Sequence, residues 1–231
     1  VALGQVLGAL NAELSGRHLF AGARQGAPMP DEDRLLSDIE TVFALSKAQQ
    51  TAVDGGTPDP LSPPPAGLVE RIGANLDLYF SPDRTVTLAV DMNVDGVTDL
   101  DGAGNPIELS FNKLFADGDD PPQPPPVELA DGEYLDYAIR GDVAELRGMI
   151  RGLAMANVAV EGPERLADEE SRAEALDMAG KQIIEATDDI TRLRSDLGLA
   201  ETRIEEAQVR ADAQRSTLEL ARSDLIGRDQ Y

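Results

Sequence analysis

The stretch 176–225, "LDMAGKQIIEATDDITRLRSDLGLAETRIEEAQVRADAQRSTLELARSDL", decides the fold. Steps of three and four residues in strict alternation land on Leu176, Ala179, Ile183, Ala186, Ile190, Leu193, Leu197, Ala200, Ile204, Ala207, Ala211, Gln214, Leu218, Ala221 and Leu225. Only Gln214 in this series is polar. An apolar 3-4 repeat held this long is a coiled-coil seam and implies left-handed supercoiling. As one helix the stretch would span about 75 Å at about 1.5 Å per residue. Its two columns differ: one is mostly Leu and Ile, the other mostly Ala, so a neighbouring backbone can come close on the alanine side. Asp188/Arg192, Glu206/Arg210 and Asp224/Arg228 stand four apart on the outer face, each pair worth about 0.2–0.5 kcal/mol. Gly180 and Gly198 interrupt the run, at about 1 kcal/mol each against alanine. An intramolecular bundle and an assembly between chains are both open on this pattern.

Such a seam needs partner helices, and the flanks supply candidates. Leu3, Leu7, Leu10 and Leu14 are spaced 4-3-4, one helix face. Residues 31–50 follow Pro30 with acids in the first turn, which suits the positive end of a helix dipole. Residues 142–158 bring Leu146, Ile150 and Leu153 together. The long helix should run from about Pro163 to Ile226. Between the flanks the period changes: "TVTLAV" (85–90) alternates, and "LDLYF" (76–80), "IELSF" (107–111) and "YLDYAI" (134–139) are further strand candidates. Ten of the fifteen prolines cluster at 57–65 and 121–126, so these runs read as stiff connections. The expected fold class is α+β: an elongated antiparallel helical bundle or coiled coil with an inserted small β-rich domain. Residues 1–57 and 141–231 would form the discontinuous helical domain, and 66–140 the insert.

Composition narrows function. Net charge is −23, from 43 acidic and 20 basic residues, so nucleic acid and membrane surfaces are poor partners. No apolar run is long enough to span a bilayer. The chain has no cysteine, which excludes disulfides and thiolate chemistry. Five Phe, four Tyr and no Trp favour helix seams over a deep aromatic pocket. "VALGQVLGAL" at the start reads as a helix entered midway, not as a signal peptide.

Motifs with chemical content are few. Asp91, Asn93, Asp95 and Asp99 match positions 1, 3, 5 and 9 of a calcium loop and Gly96 matches position 6. Position 12 is Gly102, with Asp101 one place early, and a strand precedes the loop where an EF-hand has a helix. A solvated β-connection is expected. "RGD" (140–142) is expected to serve as a helix cap through Asp142. "PPQPPP" (121–126) is expected as a spacer. His18 is the only histidine, so no multi-histidine metal site can form. Neither a phosphate-binding nor a dinucleotide-binding fingerprint occurs. No catalytic residue, metal or cofactor is expected, and the chain is not expected to be an enzyme.

Two segments carry a resemblance. "GRHLFAG" (16–22), after the first helix, resembles the motif in the same place in the flagellar hook–filament junction (hook-associated protein 3) family of the flagellin superfamily. "DDITRLRSDLGLAETRIEEAQVRADAQRSTLELARSDLIGRDQY" (188–231) is similar to the C-terminal helix of that superfamily, best at "RSDLGLAETRIEEA" (194–207) and "ARSDLIGRDQY" (221–231). The resemblance covers roughly the first 25 and the last 60 residues. It implies an extracellular structural protein of the bacterial flagellum, exported without a cleaved signal, that joins hook to filament by helix packing in a tubular assembly. The implied partners are the hook-side junction protein, flagellin, copies of the chain itself and an export chaperone. Family members begin and end with further helix, so the chain is expected to be their core without the polymerising ends, and monomeric alone. The alternatives are filament flagellin and, from another class, a calcium-binding surface or adhesion module using Asp91–Asp101.

Overall fold

Helices form where apolar residues recur three and four apart, and they enclose the main core. The computed structural model describes residues 2–21, 32–114, 127–130, 132–135 and 143–228. Among these the chain is a predominantly helical α+β protein. The helices are α1 (Ala2–Leu10), α2 (Glu32–Asp54), α3 (Leu68–Tyr79), α4 (Ala144–Val160) and α5 (Glu169–Arg228). Three two-stranded antiparallel sheets accompany them: β1 (Glu13–Leu14) with β2 (Arg17–His18), β3 (Leu88–Ala89) with β4 (Glu108–Leu109), and β5 (Val127–Ala130) with β6 (Glu133–Leu135).

Helix α1 buries Leu3, Leu7 and Leu10. Leu14 does not continue that face. The helix stops at Leu10, and Ser15 (φ 53) with Gly16 (φ 77) turns the chain into a hairpin that pairs Glu13 with His18. Leu14 sits in that hairpin and is 67% exposed. His18 ties the hairpin back, its Nδ1 3.0 Å from the carbonyl of Asn11 and its Nε2 3.2 Å from Glu13 Oε1.

The expected strand at 76–80 is also corrected. Val69, Ile72, Leu76 and Tyr79 repeat at three and four and are buried, so 76–79 complete α3 and Phe80 caps it. Its apparent alternation is the end of a helical pattern cut short. Helix α3 packs on α2, which buries Leu35, Ile39, Val42, Phe43 and Leu45. Helix α4 packs on α1 and α2. The other expected strands are shorter than their sequences suggest: only Leu88–Ala89 and Glu108–Leu109 of the first two form, in register Leu88↔Leu109. Of "YLDYAI", Tyr134 and Leu135 lie in β6 and 136–139 fall outside the described residues. Asp142 and 121–126 fall outside them too.

The described residues form two compact units, and these do not divide as a helical bundle and an inserted 66–140 domain would. One holds α1 through the 3-10 turn Phe111–Leu114, α4, and α5 up to Ile190. Residues 66–114 therefore belong with the helices. Tyr79, Phe80, Leu88, Phe111 and Leu114 join the same buried cluster as the helical leucines. Phe80 is the hinge of this aromatic group, its ring 4.9 Å from both Tyr79 and Phe111. The other unit holds β5, β6 and α5 from Thr191 onward.

Candidate functional site

The long helix is the element to which the sequence assigns function. Asp168 starts it: Oδ2 accepts a 2.7 Å hydrogen bond from the Ser171 amide, and this bond holds the Asp168 carboxyl below its usual range. Glu169 and Glu170 follow in the first turn, where the helix dipole favours negative charge.

In the first unit, α5 lies tightly on α4. A Cβ on Gly152 would sit 2.6 Å from Ile183 Cγ1 and 3.1 Å from the Ala179 carbonyl. One on Gly148 would come within 3.3 Å of Ala186 Cβ. Glycine on α4 and alanine on α5 thus set the close approach that the alanine column implies. Ala175, Ala179 and Ala186 are buried, and Ile183 and Ile190 are half-buried. Leu176, the first residue of the predicted seam, is 41% exposed. The covered stripe begins instead at Ala175, one position round the helix.

In the second unit, Leu193, Leu197, Ala200 and Ile204 are half-buried, and Ala207 is 7% exposed. Among the described residues the stripe is exposed beyond Ala207. Ala211, Gln214 and Ala221 are exposed, Leu218 is 70% exposed and Leu225 65%. Glu206 and Arg210 stand 3.9 Å apart, a loose pair. Arg215 and Glu219 pair more closely, at 3.2 Å, and the sequence reading missed them. Arg228's side chain falls outside the described residues, so the Asp224/Arg228 pair does too. Gly180 and Gly198 lie inside the unbroken helix, and a Cβ on either would meet nothing within 4 Å. No packing reason explains them.

The acidic loop folds as a turn held by its own carboxylates. Asp91 accepts hydrogen bonds from the amides of Asp95 (3.3 Å) and Gly96 (2.8 Å). Asp95 accepts from the Val97 amide and from Asn93 Nδ2, and Asp99 from the Met92 amide at 2.9 Å. Asp101 accepts from the amides of Asn105 and Ala103, which hold its carboxyl below the usual range. Among the described residues no three of His, Asp and Glu converge in an arrangement that could hold a metal ion.

Sequence reasoning missed the buried polar groups of the first unit. Arg71 on α3 is fully buried. It donates to Gln50 Oε1 (3.2 Å) and through both terminal nitrogens to Asp59 (2.9 and 2.5 Å), which anchors the first proline run to the helix. Asn75 donates to Ser46 Oγ and Gln49 Oε1 between α2 and α3. Tyr79 donates its hydroxyl to Asp38 Oδ2 at 3.0 Å. Burial raises the Asp38 carboxyl and pushes the Tyr79 phenol far up. Arg147 donates to the Ser81 carbonyl (3.0 Å) and to Asn112 Oδ1 (2.6 Å), over the Phe111 ring. An arginine is an unlikely core residue from spacing alone, and no local signal marks these positions. With Arg151, which pairs with Asp77, Arg147 lines a cleft of about 200 Å³, and both arginines are committed to backbone and side-chain acceptors of the fold. That arrangement locks helices together.

No family model, curated protein or solved structure matches this chain.

Proposed function

We propose that the chain is a structural component of the bacterial flagellum that joins hook to filament through packed helices. The observation that carries this reading is the stripe on α5. It is covered as far as Ala207 and continues uncovered, in the same 3-4 repeat, through Leu225. A packing seam longer than its own cover suits a subunit completed by neighbours. The resemblance of 16–22 and 188–231 to the junction-protein family supplies the particular assembly. In this reading the helices form an elongated antiparallel bundle. The protein is extracellular, and it acts by holding position and catalyses nothing. Its neighbours are the hook-side junction protein, flagellin and copies of itself.

Immunogold labelling of flagella from the source cells, with antibody raised against this chain, tests the proposal. Label should form a single band where hook meets filament. Label along the filament would make the protein a flagellin, and flagella free of label would overturn both readings.

A further inference from the structure

We infer that the uncovered end of α5 is a self-association surface, on which two copies of the chain pair antiparallel with Ala211 of one opposite Ala221 of the other. The inference rests on α5 alone and not on the flagellar reading. The stripe positions there are Ala211, Leu218, Ala221 and Leu225 with the polar Gln214 among them, all exposed. The residues that flank such a stripe select the orientation of a coiled-coil pair. Here they are Arg210, Thr217 and Asp224 on one side and Gln208, Arg215 and Arg222 on the other.

A parallel pair would set Arg210 against the partner's Arg215, twice. An antiparallel pair with Gln214 opposite Leu225 would set Arg215 against the partner's Arg222, twice. With Ala211 opposite Ala221, Arg210 faces the partner's Asp224 on both sides of the two-fold axis. Among the charged residues only Arg215 then meets its own copy, and each Arg215 already holds Glu219 at 3.2 Å. The layers fit the same register. Alanine opposite alanine lets the backbones approach, and Leu218 sits beside the partner's Gln214, a polar core residue of the kind that fixes register while weakening the pair. The interface is isologous and closes at two copies. Four short layers make it small, so it forms only at high concentration. This makes the chain a weak dimer, against the monomer expected from the sequence.

Sedimentation velocity of the 231-residue chain over about 10 µM to about 1 mM, at about 0.15 M salt, reads the pairing. The expected result is a reversible monomer–dimer equilibrium. Arg210→Asp and Asp224→Arg should each weaken it about tenfold, and the double charge swap should restore it. Leu218→Asp should abolish it. Circular dichroism of every variant should match the parent, because these side chains are exposed. A monomer throughout, larger oligomers, single reversals without effect, or a double swap that fails to rescue would each overturn the inference.

Discussion

Arg71 shows how much one buried charge organises. Its guanidinium lies wholly inside the first unit, while the Asp59 carboxylate that answers it lies at the rim. Solvent screens the rim, so the stability argument rests on the arginine. Asp59→Asn keeps the shape and removes the counter-charge, and should cost about 2–4 kcal/mol at neutral pH. Hydrogen bonds from Arg71 hold the Asp59 carboxyl below its unfolded value. Its contribution is therefore present above the unfolded pKa and is lost as pH falls through the folded one. Asp38 has the opposite sign. Burial raises it, so its stabilising contribution is present below the unfolded pKa and is lost as pH rises through the folded one. Asp38→Asn retains an acceptor for Tyr79 and should match or exceed the parent's stability at neutral pH. Urea melts across pH 3–7 check both: the Asp59→Asn deficit should shrink in acid, and any Asp38→Asn gain should vanish there. Two glycines make a second contrast. Gly152→Ala drives a Cβ into Ile183 and the Ala179 carbonyl and should destabilise by about 1–3 kcal/mol. Gly198→Ala meets nothing and should stabilise the helix by up to about 1 kcal/mol, read from the same melts.

Helix α5 has two environments along one stripe, and substitutions should separate them. Ile183→Asp places a carboxylate against Gly152 of α4 and should destabilise the first unit by about 3 kcal/mol or more. Leu218→Asp changes a side chain already in water and should leave monomer stability within about 0.5 kcal/mol. Equal losses from the two would mean that Leu218 is covered in solution. The repeat itself was legible in the sequence, because apolar steps of three and four report a helix face wherever it lies. What covers that face was not legible, since periodicity is the same against a neighbour or against water. The same limit explains α3: five residues of "LDLYF" suit either period, and only the longer register from Val69 to Tyr79 separates them. Leu14 shows the reverse error, a helical spacing that outlives its helix because Ser15 and Gly16 turn the chain. Arg71, Asn75 and Asp38 left no trace, because their partners stand 12 to 41 residues away and pair only once the helices have docked.

On the scale of the molecule, the apolar cluster is shared unequally. The first unit holds the cluster that runs from Leu3 to Ala179 and draws on all five helices. Among the described residues of the second, only Leu135 and Ala207 are buried. A two-state transition requires that the parts of a protein depend on one another for their stability, and a unit with so little buried surface has little to hold it once the temperature rises. The net charge of −23 adds self-repulsion throughout, which salt relieves. Heating should therefore give two processes. The far-ultraviolet dichroism at about 222 nm, dominated by helix, should begin to fall early and gradually as the far end of α5 frays. The near-ultraviolet signal of Tyr79, locked in the core against Phe80 and Phe111, should hold and then drop in one later, steeper step. Added salt should raise the temperature of that second step. Superimposable curves at the two wavelengths would mean that the distal helix draws its stability from the same core as α1 to α4, and the division into a firm unit and a weakly held one would have to be given up.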